Sequence, residues 1–236
     1  NPSIVQFIHR NLAYLIVGIY IYIFFIVIKN RNEIFKKTVL VTGAGGSIGS
    51  ELVKQIVKFN PKRIILLDHS EYNLYKINYD VNEIIKKNNL KIDIIAHLAS
   101  ICNKGRLENI FRKYSPDQVF HTAAYKHVYI VEINPNESII NNVFGTKNIV
   151  DLSKKYNVKR FLFISTDKAV RPSTLMGKTK RLGEKYVQAI SSDSETKTLF
   201  SIVRFGNVMG SSGSVIPLFI DQIENGGPVT LTHKDV

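Results

Sequence analysis

The stretch TVLVTGAGGSIGSEL, Thr38 to Leu52, decides the fold of this chain. Thr38 to Thr42 is a short β-branched run. It breaks into GAGGSIG, and apolar residues then recur at helical spacing from Ile48 to Val57. The order is strand, glycine turn, helix. Gly43, Gly46 and Gly49 give the spacing G-x-x-G-x-x-G. Glycine is needed there because the turn is tight, the backbone must approach a pyrophosphate, and helix and strand must pack closely. Free N–H groups at the start of the helix then face the phosphates. Gly43, Gly46, Ser47, Ile48 and Gly49 are therefore the expected contacts of a dinucleotide. Alone, the pattern also fits an ordinary glycine-rich loop, and its surroundings decide. Arg63 to Leu67 (RIILL) reads as a second buried strand and ends at Asp68, nineteen residues after Gly49. A carboxylate there can accept hydrogen bonds from an adenosine ribose and repels a 2′-phosphate, which favours NAD over NADP.

The alternation continues outward. Ile92 to Ala96, Gln118 to Thr122, Arg160 to Ser165 and Phe200 to Arg204 read as further strands. Tyr72 to Lys87, Leu107 to Lys113, Ser138 to Tyr156 and Lys178 to Ala189 read as the helices between them. Strand-helix alternation predicts an α/β fold with a doubly wound parallel sheet, Rossmann-like, over residues 38–205.

On the other side of Thr38, Leu12 to Ile28 (LAYLIVGIYIYIFFIVI) holds seventeen residues without a charge. As a helix it covers roughly 25 Å, just short of a ~30 Å hydrocarbon core. Residues 1–37 are expected to form a transmembrane helix and linker, with a buried core helix as the alternative. Lys29, Arg31, Lys36 and Lys37 outnumber His9 and Arg10, so the positive-inside rule puts the following domain in the cytoplasm, at the inner membrane. The single cysteine, Cys102, fits a reducing compartment. A formal charge of +13 fits nucleic acid, an anionic membrane or a phosphate-bearing substrate. The lysines are dispersed and no helix-turn-helix, zinc-finger or RNA-recognition signature is present, so nucleic acid is not expected as a partner. His121 and His127 lack partners at metal-ligand spacing, so no metal site is expected.

Further motifs are HTAAYKHVYIVE (His121–Glu132), NNVFGT (Asn141–Thr146), STDKAVRPSTLMGKTKRLGEKY (Ser165–Tyr186) and RFGNVMGSSGSVIPLF (Arg204–Phe219). With VTGAGGSIGSEL and LLDHSEYNLY, they make the chain resemble the extended short-chain dehydrogenase/reductase superfamily. More narrowly, it is similar to the membrane-associated CapD-like nucleotide-sugar 4,6-dehydratases of polysaccharide biosynthesis. The resemblance implies a homo-oligomeric enzyme with bound NAD. Such an enzyme removes water from a UDP-sugar, UDP-N-acetylglucosamine first among them, to give the UDP-4-keto-6-deoxy sugar. It implies that residues 206–236 begin a substrate-binding domain that is incomplete here.

By the same resemblance, Asp167 is the acid for the C6 hydroxyl, Lys168 the base for the C5 proton, and Thr166 a hydrogen-bond partner of the C4 oxygen. Those roles need Asp167 protonated and Lys168 neutral, so both ionisations are expected to move inward. The superfamily's Y-x-x-x-K pair reads Met176 and Lys180 here. A thioether cannot take a proton, which leaves Thr166, Asp167 or a water to activate the C4 hydroxyl, while Lys180 is expected on the nicotinamide ribose. Ser100, Ala123 and Ala124 are expected beside the cofactor. Lys126, Asn142, Arg204 and Asn207 are expected on the UDP-sugar side, where a diphosphate wants cationic and amide donors. A sugar epimerase and a non-catalytic NAD-binding protein are the rival readings.

Overall fold

The computed structural model describes residues 37–206, 208 and 215–229. Six strands form one all-parallel sheet: β1 (Thr38–Thr42), β2 (Arg63–Asp68), β3 (Asp93–Leu98), β4 (Gln118–His121), β5 (Arg160–Thr166) and β6 (Leu199–Phe205). Their order is β3-β2-β1-β4-β5-β6, the doubly wound arrangement. It reverses between β1 and β4, and the splayed loops there open a crevice at the C-terminal ends of the strands. The helices are α1 (Ser47–Val57), α2 (Glu71–Lys87), α3 (Lys104–Tyr114), α4 (Val128–Ile133), α5 (Pro135–Ile139), α6 (Thr146–Lys155) and α7 (Leu175–Ser191). A further helix, α8 (Val215–Glu224), belongs to a second unit that includes residues 207–236.

Near-continuous apolar strands are what a sheet covered on both faces requires. Leu40, Ile65, Leu67, Val119, Phe161 and Phe163 join one buried cluster with Leu107, Ile110 and Phe111 of α3, Ile149 and Val150 of α6 and Val187 of α7. Residues of the other parity, Val39, Val41, Ile64 and Leu66, are buried with Leu52, Val53 and Ile56 of α1 and Leu74, Ile77 and Val81 of α2. Ser70, Asn103 and Thr174 cap α2, α3 and α7 through their side chains.

The expected strands are all present, shifted by at most two residues. One expected helix is not continuous. The segment read as Ser138 to Tyr156 divides into α5, a π turn at Ile140–Gly145, and α6. The extra residue of the π turn carries the fully buried Asn142 inward, where its side chain finds partners on the neighbouring loop and on α7. Among the described residues, no helix is long and apolar enough to cross a membrane. Leu12 to Ile28 and Asn207 lie outside the described residues.

Candidate active site

The glycine turn is built on two close approaches. Gly43 has φ +67°, in the left-handed region that favours glycine. A Cβ on Gly49 would lie 2.0 Å from the Gly43 carbonyl oxygen, so the first turn of α1 can sit on the loop only without a side chain there. Thr122 Oγ1 donates to the Thr42 carbonyl at 2.7 Å and lies 3.1 Å from that of Gly43, tying the end of β4 to the loop. Above this floor lies a cleft of about 360 Å³. Its lining includes Gly43, Gly46, Ser47, Ile48, Gly49, Asp68, Ala123 and Ala124, the residues expected at a dinucleotide, Lys126, expected on the UDP-sugar side, and also His69, Asn73, Tyr125 and Ile130.

Asp68 is 4 % exposed, and its carboxylate is held at both oxygens. Oδ2 accepts from Gly45 N–H and Oδ1 from Ser70 N–H, each at 2.9 Å. The residue thus braces the glycine loop and also presents its charge at the cleft wall. Ser100 is placed differently from expectation: its hydroxyl accepts from Cys102 N–H within a turn, and the wall is made by its neighbours Ala99 and Ile101. The cleft fits a dinucleotide by shape and chemistry, with a Cβ-free floor at a helix N-terminus and an acidic side wall.

The second cluster stands at the C-terminal end of β5. Thr166 Oγ1 donates to Asp167 Oδ1 at 2.9 Å, and Lys168 reaches the same oxygen through its backbone N–H (2.8 Å) and its Nζ (3.3 Å). Burial pushes the Asp167 carboxyl up, but the bonds from Thr166 and Lys168 outweigh it and hold the group below the usual carboxylate range. This corrects the expected upward shift: with its side chain 55 % exposed and ion-paired, Asp167 is a carboxylate in this state. The turn after β5 is held from behind by Gly177, where a Cβ would come 2.3 Å from the Lys168 carbonyl oxygen.

Met176 and Lys180 lie on the buried face of α7. Lys180, the residue expected at the nicotinamide ribose, is bonded within the protein. Its Nζ donates to the Ile164 carbonyl at 2.7 Å and lies 4.2 Å from the Phe163 ring centroid. Burial lowers its pKa to about 7, and the negative charge of Glu184 opposes the shift. Asn142 and Arg204 also make internal bonds. Asn142 accepts from Tyr125 N–H, donates to Tyr125 C=O and bonds Thr179 Oγ1. Arg204 forks onto Glu184, at 2.7 Å and 2.5 Å. Sequence reasoning missed Glu184, which has no exposed surface and also accepts from Ser165 and Arg181. Its signal was present: Met176, Lys180 and Glu184 recur every four residues, with Val187 following on the same helical face.

A buried polar chain runs from the end of β1 through His121 to the π turn. Thr146 Oγ1 donates to the Asn142 carbonyl, so it accepts from His121 Nε2–H, and His121 Nδ1 is left to accept from Thr42 Oγ1. The imidazole is neutral, its pKa pushed to about 3 by burial and by the charge of Lys180. A histidine depressed on folding supports the fold fully above about pH 6.5 and loses that support as pH falls toward its folded value. Urea-unfolding midpoints are therefore expected to fall more steeply between pH 6.5 and 4 in the wild type than in His121→Gln. Equal slopes would remove His121 from the acid response. Among the described residues, no group of three or more His, Cys, Asp or Glu side chains could hold a metal ion.

The pattern of the polysaccharide biosynthesis protein family matches residues 39–236. The chain belongs to this family. Its CapD-like character is explicit in a capsular polysaccharide biosynthesis protein, CapD, of Staphylococcus aureus. That protein is 50 % identical over 205 residues, covering 87 % of this chain and 34 % of the relative. An inverting UDP-N-acetylglucosamine 4,6-dehydratase of Campylobacter jejuni is 35 % identical over 202 residues, or 84 % of this chain and 58 % of the relative. A UDP-glucose 4-epimerase of Rickettsia bellii is also 35 % identical, over 203 residues, or 85 % and 57 %. The chain thus spans one third to just over half of the length of these relatives. The chain is a CapD-like member of the short-chain dehydrogenase/reductase superfamily.

Proposed function

We propose that the chain catalyses NAD-dependent loss of water from a UDP-hexose, UDP-N-acetylglucosamine in the first instance, to give the UDP-4-keto-6-deoxy sugar for polysaccharide assembly. The observation that carries this reading is the hydrogen-bonded Thr166–Asp167–Lys168 cluster at the end of β5. Elimination across C5 and C6 needs a base and an acid close together, and a purely redox reaction at C4 does not. The dinucleotide, when bound, supplies a reversible acceptor for the hydride of C4. Gly43, Gly46, Ser47, Ile48, Gly49, Asp68, Ala123 and Ala124 would hold it.

Lys168 is assigned as the base for the C5 proton and Asp167 as the acid for the C6 hydroxyl. In the free protein these two form an ion pair. Moving one proton from Nζ to Oδ1 converts the pair into the neutral amine and neutral acid that the reaction requires. A sugar that covers the pair and excludes water favours that direction, because desolvation disfavours both charges. Thr166 Oγ1, already bonded to Asp167, is assigned to the C4 oxygen, where Met176 supplies no proton acceptor. Lys126 is assigned to the diphosphate. The apolar run Leu12 to Ile28 is assigned as an inner-membrane anchor, with the sheet domain on the cytoplasmic side.

The Rickettsia relative favours a second reading, epimerisation at C4, in which hydride leaves and returns without loss of water. Mass spectrometry of UDP-N-acetylglucosamine incubated with the protein and NAD separates the two. A product lighter by about 18 mass units supports elimination. A product of unchanged mass and altered C4 configuration would replace it with epimerisation. An unaltered sugar beside demonstrated NAD binding would leave a dinucleotide-binding protein.

Cofactor choice has its own test. Asp68→Asn removes the charge from the cleft wall and one acceptor from the loop brace. NAD is expected to bind about tenfold more weakly and NADP to be less disfavoured, measured by titration calorimetry. An unchanged NAD-to-NADP ratio would take Asp68 off the ribose.

A further inference from the structure

The positive charge of the chain is unevenly placed on the fold. In an all-parallel sheet the strand N-termini and the helix C-termini converge on one end, opposite the cleft. Exposed Lys58, Lys62, Lys86, Lys87, Lys91 and Lys113 all lie at that end. Among the described residues none of the six forms an ion pair. Three acids of the same end, Asp93, Asp117 and Asp193, are already matched by Arg63, Lys159 and Lys154, and exposed Glu195 stands in the return to β6. Helix dipoles account for lysines in a last helical turn, such as Lys86 and Lys87. They do not account for Lys62 and Lys91, which stand in the returns to β2 and β3.

Four of the five returns at this end are short. The returns to β2, β3, β4 and β5 are three to five residues long, and each turns on one residue in the left-handed region: Asn60, Asn89, Ser115 and Asn157. Such a face suits an extended planar anion rather than a strand held in a groove. The chain itself enters here, because Lys37 leads into β1. Only nine residues separate Ile28 from Thr38, and Lys29, Arg31, Lys36 and Lys37 are among them. Fully extended, nine residues reach about 30 Å.

We propose that this basic end is a docking face for an anionic lipid bilayer, which turns the cleft away from the membrane. The proposal rests on the membrane reading given under Proposed function. Its attraction would come from lysines near the headgroups and would fade within a Debye length of about 10 Å at 0.1 M salt.

The two ends of α2 allow a direct test on the full chain. In a Cys102→Ser background, an environment-sensitive fluorophore is attached at Lys87→Cys or at Glu71→Cys, about 24 Å apart along one helix. The protein is mixed with phosphatidylcholine vesicles carrying a headgroup-linked quencher, with or without about 30 mol % phosphatidylglycerol. With the anionic lipid at about 50 mM salt, quenching at position 87 is expected to exceed that at 71 about threefold. The excess should vanish at about 0.5 M salt and in neutral vesicles. Flotation on the same samples separates the two readings. A chain that floats with both vesicle types without preferential quenching at 87 keeps its anchor and overturns the docking face. A chain that floats only with anionic vesicles, quenched at 87, keeps the face and loses the anchor. Retention on duplex DNA with no quenching at 87 would overturn the proposal in favour of a nucleic-acid face.

Discussion

Lys168→Ala is expected to lower turnover of UDP-N-acetylglucosamine by about three orders of magnitude while leaving dinucleotide affinity within about twofold. The affinity should hold because Lys168 stands at the end of β5 and takes no part in lining the cleft over β1. The turnover should fall because removal of Nζ leaves Asp167 without its ion-pair partner and C5 without a base. The two effects can be read independently. Substrate incubated in deuterated water should acquire no deuterium at C5 with the variant, and single-turnover reduction of the cofactor should persist. Turnover within tenfold of wild type would move the base to another group, and the exposed Lys126 at the cleft wall would be the first to examine.

Gly49→Ala is expected to act at the opposite pole, lowering dinucleotide affinity by at least about a hundredfold. The new methyl would need space 2.0 Å from the Gly43 carbonyl oxygen, so either α1 or the glycine loop must shift by more than an ångström. Overpacking of this kind typically costs about 1–3 kcal/mol of stability, which a domain stable by about 5–15 kcal/mol survives. The variant should therefore remain folded by circular dichroism and fail to retain the dinucleotide on a desalting column. Retention at wild-type stoichiometry would mean that the phosphates sit elsewhere.

Much of this architecture is legible in the sequence. The glycine turn, Asp68 and the buried strands declare themselves because each obeys a short-range rule: a period, a tight turn, or a fixed distance along the chain. The π turn at Ile140–Gly145 was not legible, since one inserted residue hardly alters the apolar periodicity of the nineteen-residue stretch it interrupts. Asn142, Arg204 and Lys180 mark a different limit. Residue type and position indicate a polar group, but not the internal bonds that the group makes. Here all three close networks: onto the Tyr125 backbone, onto Glu184 and onto the Ile164 carbonyl. The downward shift of Asp167 was hidden for the same reason. It depends on Thr166 and Lys168 converging on one oxygen, which sequence adjacency permits but does not require.

The double hold of Asn142 on the Tyr125 backbone bears on how long a coenzyme would stay. Tyr125 lines the cleft, and its N–H and C=O are both fixed from beneath at 2.8 Å and 3.0 Å by one buried side chain. A wall gripped in this way has little freedom to swing open. In the proposed reaction the dinucleotide would supply the hydride acceptor for C4 and the hydride that completes C6, so its escape midway would leave the sugar without that hydride. Slow release would make the nicotinamide behave as a resident prosthetic group, recycled within each turnover and independent of the free NAD pool around the protein.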